Sequence, residues 1–184
     1  MSFVQHTVES APSASRRFMT ATADRMGYLP AGVGLMAESP HLLEGFLKLS
    51  ALFEATTLAK VEREVLVMTM ATHNGCHLCV AMHTRKLSQL HADPHLIAAL
   101  REGAALADPH LEAMRVFVLD VLASRGAPAD ASLAAFLAAG YSRRNALEVV
   151  LGIGTYTMST FANRLTGAPI DAQLAAHSSM ASYQ

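Results

Sequence analysis

The chain predicts an all-α fold, and three observations carry that reading. It is rich in Ala, Leu and Met, has no Trp and only 6% aromatic residues, a mix that favours helices over sheets. No run of alternating apolar and polar residues reads as a half-buried strand, whereas apolar residues recur at helical spacing along most of the chain. The pattern is also punctuated by helix starts. Ser39-Pro40, Asp93-Pro94 and Asp108-Pro109 each place a capping side chain before a proline at the first helical position. A length of 184 residues suits one domain, 1–184, with a substantial core.

The elements follow in order. Ser15 to Met26 reads as a first helix, ended by Gly27 and a loop through Pro30. Ser39 opens a second to about Ala55, with Leu42, Leu43, Phe46, Leu49, Leu52 and Phe53 on one face. Leu58 to His73 and Cys76 to Leu90 form a helical hairpin broken by Asn74-Gly75, a helix stop. Asp93 starts a short helix ending at Gly103, and Asp108 another ending near Gly126. In both, as after Ser39-Pro40, the proline is followed by a histidine (His41, His95, His110), which places these three in exposed first turns. A helix over Ala129–Ala139 follows, and Ser142 caps the last long one, to about Leu165. The small, polar tail after Pro169 is expected to be frayed or to lie on a neighbour.

The chemistry concentrates in His73-Asn74-Gly75-Cys76-His77-Leu78-Cys79-Val80-Ala81-Met82-His83, which holds the only two cysteines of the chain. Cysteines at a helix start face unpaired N–H groups and the positive end of the helix dipole. That setting favours thiolate and lowers a thiol pKa from ~8.5 towards ~7. On a helix, Cys76 and Cys79 lie ~60° apart, and His83 lies ~40° from Cys79 and ~6 Å further along the axis. All three share one face. In the preceding helix Glu64 sits among apolar Val61, Val65, Leu66 and Met68, so a hairpin brings its carboxylate towards His83. Carboxylate, imidazole and thiol in series make a proton relay. His73 and His77 flank Cys76 and read as solvated loop and helix-start residues.

Glu64, then Cys76-x-x-Cys79, then His83, with Val61-Glu62-Arg63-Glu64 entering the first helix and His83-Thr84-Arg85 leaving the second, resembles the signature of the AhpD-like alkyl hydroperoxidase family, within the carboxymuconolactone decarboxylase superfamily. The resemblance is strong over about residues 39–90 and loose over the second half, about 93–168. The best-studied branch has a histidine immediately before the second cysteine; this chain has Leu78 there and a histidine at His77 instead. The resemblance implies an all-helical homo-oligomer that reduces hydroperoxides or exchanges disulfides. Its electrons would come from a thiol or lipoyl-type donor or pass to a peroxiredoxin, with no bound cofactor. Of the two thiols, the helix dipole favours Cys76 as the attacking group and proximity to His83 favours Cys79. The expected arrangement is attack by Cys79 and resolution by Cys76.

Other readings stay open beside it. The superfamily includes lactone decarboxylases, whose proton chemistry needs no cysteine pair. A redox sensor would use the same pair once, without turnover. His73, Cys76, Cys79 and His83 also supply four zinc-type ligands, although three of them sit on one helix, which closes poorly into a tetrahedron. Glu148, Thr160, Asn163 and Gly167 repeat the offsets of Glu64, Cys76, Cys79 and His83, which is consistent with a degenerate internal duplication. Net charge is −1 with no basic cluster beyond Arg16-Arg17 and Arg143-Arg144, which argues against nucleic-acid binding. The most apolar stretch, Ala146 to Ala162, carries Glu148 and several Thr, Ser and Gly, and reads as a buried helix, not a membrane span. Met1 to Ala14 lacks a charged start followed by an apolar run, so a cytoplasmic setting is expected, where such a pair is catalytic or metal-binding rather than a structural staple.

Overall fold

The computed structural model describes residues 3–178, and among them the regular structure is helical throughout. The helices are α1 (Ser13–Met26), α2 (Ala31–Met36), α3 (Pro40–Glu54), α4 (Lys60–His73), α5 (His77–Gln89), α6 (Pro94–Glu102), α7 (Pro109–Ala123), α8 (Asp130–Ala138) and α9 (Arg143–Thr166), followed by a 3-10 helix at Ala172–His177.

Helix α4 is the axis of the molecule. Every residue from Arg63 to Ala71 is buried, which an amphipathic surface helix could not sustain. It packs against α5, α6, α7 and α9, and α3 closes over α9. Two close approaches tighten this core. A Cβ at Gly152 of α9 would come within 2.6 Å of the Phe53 ring and 2.8 Å of Leu66, so only glycine lets α9 lie this near α3 and α4. The edge-to-face rings of Phe46, Phe53 and Tyr156 fill the adjoining space. A second, smaller apolar cluster joins Met19, Val33, Met36 and Leu43 beneath α1, α2 and α3.

Two elements depart from expectation. Residues 31–36 form α2, six buried residues that include two glycines. Such a segment is too short and too glycine-rich to announce a helix by propensity. It is held by its surroundings instead: the Ala31 N–H donates to Asp171 Oδ1 at 2.9 Å. The segment after Pro169 is likewise not frayed over its described part. Leu174 is fully buried, and its 3-10 helix packs on α5.

His110 also corrects its expected exposed, idle place. His41 and His95 are exposed, but the His110 ring stacks on Tyr141 and bonds to Glu62 Oε1 and the Ala139 carbonyl, both at 2.7 Å. Both ring nitrogens therefore face acceptors. The Glu62 bond, foremost, raises the His110 pKa above its ordinary value.

Candidate active site

Helix α4 ends where Asn74 and Gly75 turn the chain. Gly75 is in the left-handed region (φ +63°), which glycine adopts without a Cβ penalty. The Cys76 N–H closes the turn on the Ala71 carbonyl at 2.8 Å. Helix α9 clamps the turn from outside. Asn74 Nδ2 donates to Thr160 Oγ1 at 2.9 Å, and the Arg164 guanidinium donates to the Asn74 carbonyl at 2.5 Å. The entry angle of α5, and with it the direction of the two thiols, is set by these contacts.

Cys76 is the N-cap residue of α5, and its sulfur accepts the Cys79 N–H at 3.4 Å. Cys76 and Cys79 stand as a disulfide pair with Cα atoms 5.3 Å apart. Both are buried, but only Cys79 lines the neighbouring cavity. That cavity, about 510 Å³, lies between α1, α2, α3, α5 and α9, and also receives His83, Lys86, Tyr156 and Asn163.

The α4–α5 hairpin sets Glu64 Oε2 2.7 Å from His83 Nδ1. Glu64 is 1% exposed, and its other oxygen takes the Lys86 ammonium at 2.8 Å. Burial works against the Glu64 charge, yet His83 and Lys86 together outweigh it and hold the carboxyl below its usual range. Burial likewise opposes the charge on Lys86, and Glu64 and Glu54 overcome it, so Lys86 is raised. An ionised Glu64 accepts the Nδ1–H of His83, which leaves Nε2 for another partner. Tyr156 meets that ring edge-on at 5.5 Å, and burial pushes its own phenol up to about 12.

His83 makes no direct hydrogen bond to either sulfur among the described residues. The side chain that touches Cys79 is Asn163, whose Nδ2 donates to the sulfur at 3.3 Å. Asn163 is 8% exposed; its Oδ1 is buried, makes no hydrogen bond and lies against Gly32. A Cβ on Gly32 would stand 2.5 Å from that oxygen, so glycine there makes room for the amide.

The structure thus joins Glu64 to His83 and Cys76 to Cys79, and links the two halves through the cavity wall. Sequence reasoning missed Lys86, three residues after His83 on the same face, and Tyr156. It noted Asn163 only as an offset match to Cys79. The matching offsets fall within one uninterrupted helix, α9, whereas the motif half has two helices broken at Gly75. His73 and His77 are exposed. Among the described residues, no group of three or more His, Cys, Asp or Glu is arranged to hold a metal ion, and no helix is long and apolar enough to cross a membrane.

Residues 40–118 match the family model described as the carboxymuconolactone decarboxylase family. No curated protein matches the sequence. Among solved structures, a peroxidase-related protein with an alkylhydroperoxidase AhpD core from Ralstonia eutropha is similar over 94% of this chain and 93% of its own, with a TM-score of 0.82 at 21% identity. A second peroxidase-related protein, from a Silicibacter species, covers 95% and 92% with a TM-score of 0.78 at 18% identity. A debrominase crystallised with 2,3,4-tribromopyrrole covers 95% and 94% with a TM-score of 0.77 at 17% identity. At these identities the likeness is one of fold.

Proposed function

We propose that this chain, whose residues 40–118 match the carboxymuconolactone decarboxylase family model and whose fold is similar to that of an AhpD-core protein, is a thiol-dependent peroxidase of the AhpD-like type in which Cys79 attacks a hydroperoxide and Cys76 resolves the product. One observation carries this reading: of the two paired sulfurs, only that of Cys79 lines the cavity that His83 also lines, while Cys76 stands behind it at the helix cap.

In the reduced protein, His83 Nε2 takes the Cys79 thiol proton, and Glu64 stabilises the imidazolium. The Asn163 amide and the N-terminus of α5 support the thiolate. The thiolate attacks the terminal oxygen of the hydroperoxide. An S–O bond forms, the O–O bond breaks, and the leaving alkoxide takes the imidazolium proton to depart as an alcohol. The hydroperoxide itself spans the gap between Sγ and Nε2. The Cys76 thiol then attacks the Cys79 sulfenic acid, forming the disulfide and releasing water. An external dithiol, such as a lipoyl-type donor, returns two electrons and becomes a disulfide. Lactone decarboxylation would leave the cysteine pair without a role, so the paired thiols favour the peroxidase.

The test is mass spectrometry of the reduced protein before and after a hydroperoxide. The expected change is loss of two hydrogens within one chain, reversed by a dithiol. In Cys76→Ser, a trapped sulfenic acid at Cys79 is expected. Thiols that stay alkylatable after treatment would refute the peroxidase, and trapping at Cys76 in Cys79→Ser alone would reverse the order of attack.

A further inference from the structure

The walls of the Cys79 cavity are chemically mixed. Its lining includes the apolar side chains of Met26, Val33, Met36, Phe46, Leu47 and Met82. It also includes three cations, Arg25, Arg85 and Lys86, against a single acid, Glu54. Lys86 is already satisfied, since it is bonded to both Glu54 and Glu64. Arg63 also reaches Glu54 at 3.7 Å, so this carboxylate is fully subscribed. Arg25 and Arg85 make no ion pair or hydrogen bond among the described residues. Asp171, which with Arg85 influences Tyr28, accepts from the Ala31 amide and pairs with neither guanidinium.

Two unengaged guanidinium groups in a cavity lined mainly by apolar side chains suit an amphipathic anion. We infer that the cavity takes an organic hydroperoxide whose carbon chain carries a carboxylate, with the carboxylate on Arg25 and Arg85 and the chain against the apolar side chains. The reactive end is thereby ordered. Arg85 follows Cys79 by six residues on α5, a rise of ~9 Å and a turn of ~120° about the axis, and both line the cavity, so a carboxylate on Arg85 leaves room for a short alkyl stretch before the peroxide meets the sulfur. A bare alkyl hydroperoxide would gain the apolar contacts but not the anchor. This rests on the peroxidase reading for the peroxide group alone; the anion preference stands on the arginines and can be measured without turnover.

Two measurements decide it. In the first, calorimetry compares binding of decanoate with that of 1-decanol to the intact oxidised protein. Tighter binding of decanoate, by about fivefold to twentyfold, is expected, and Arg25→Gln/Arg85→Gln should bring the two ligands level. Both substitutions fall on exposed or half-exposed side chains, so the fold should survive them. Equal binding in the wild type, or a preference that persists in the double variant, overturns the inference. In the second, kcat/KM is compared for linoleic acid 9-hydroperoxide and its methyl ester with excess dithiol. An acid-to-ester ratio near ten in the wild type and near one in the double variant is expected. An unchanged ratio again overturns the inference. If neither these nor tert-butyl hydroperoxide is consumed, the peroxidase reading fails, and the decanoate comparison still decides the anion site.

Discussion

Removing the buried carboxylate of Glu64 gives the sharpest check on the proposed relay. Its Oε2 lies 2.7 Å from His83 Nδ1 and its Oε1 2.8 Å from Lys86 Nζ, at 1% exposure. Opposite charges ~4 Å apart interact by ~4 kcal/mol at an effective dielectric of ~20, a gross figure that desolvation reduces. Glu64→Gln keeps an acceptor for the Nδ1–H but loses the charge, and leaves the Lys86 ammonium to oppose an imidazolium. A net loss of ~1.5–3 kcal/mol, or about 10-fold to 100-fold in kcat/KM for peroxide, is expected. His83→Ala removes the base itself and should cost ~10²–10⁴-fold. Because both act on one proton path, the double variant should be no more than about threefold slower than His83→Ala. Adding Lys86→Met to Glu64→Gln removes the opposing charge and should recover part of the loss. The assay is peroxide consumption with excess dithiol across about pH 6–9, with helicity checked by circular dichroism. Near wild-type turnover in folded His83→Ala, or multiplicative losses in the double variant, would remove the relay and leave only a helix-start dithiol.

Asn163→Leu deletes the amide donor to the Cys79 sulfur; the pH midpoint of Cys79 alkylation should rise by ~1–2 units, reflecting a bond to a charged acceptor worth ~1.5–3 kcal/mol. Gly32→Ala, whose new Cβ would meet Asn163 Oδ1 at 2.5 Å, should shift that midpoint in the same direction, and an unmoved midpoint in both variants would deny the amide a role. His110 has a raised folded-state pKa, so its contribution is complete below the unfolded value of ~6.5 and fades as pH rises through the folded one. With its side chain 41% exposed, His110→Gln should cost at most ~1 kcal/mol, visible in thermal melts near pH 5.5 and absent near pH 8.5; a cost equal at both would contradict the charged pairing with Glu62. Leu147, Val150, Phe161 and Leu165 form an exposed apolar stripe on α9, 53–73% accessible, which a second copy of the chain is expected to cover. Light scattering should give a multiple of 19.6 kDa, reduced by Leu147→Glu/Leu165→Glu; a monomer at micromolar concentration would refute self-association.

The alignment of Cys76, Cys79 and His83 on one face was legible in the sequence because helix geometry is local: spacing along one element sets direction without reference to the rest of the chain. The stop at Asn74-Gly75 and the starts at Ser39, Asp93 and Asp108 are equally local, resting on backbone conformation and side-chain caps within a few residues. The sequence also placed Glu64 in an apolar helix, but its 2.7 Å approach to His83 depends on how α4 and α5 pack. The tertiary structure alone decided the rest. Asn163 reaches the Cys79 sulfur from 84 residues away; the repeated offset pairs the two positions but says nothing of contact between them. Helix α2 and the 3-10 helix at 172–177 are too short to be stable on intrinsic propensity; burial of Met36 and Leu174 against other helices provides the free energy their own hydrogen bonds cannot. The cavity, with its apolar lining and its two unengaged arginines, exists only where five helices meet, so its composition follows from packing and not from any one stretch of chain.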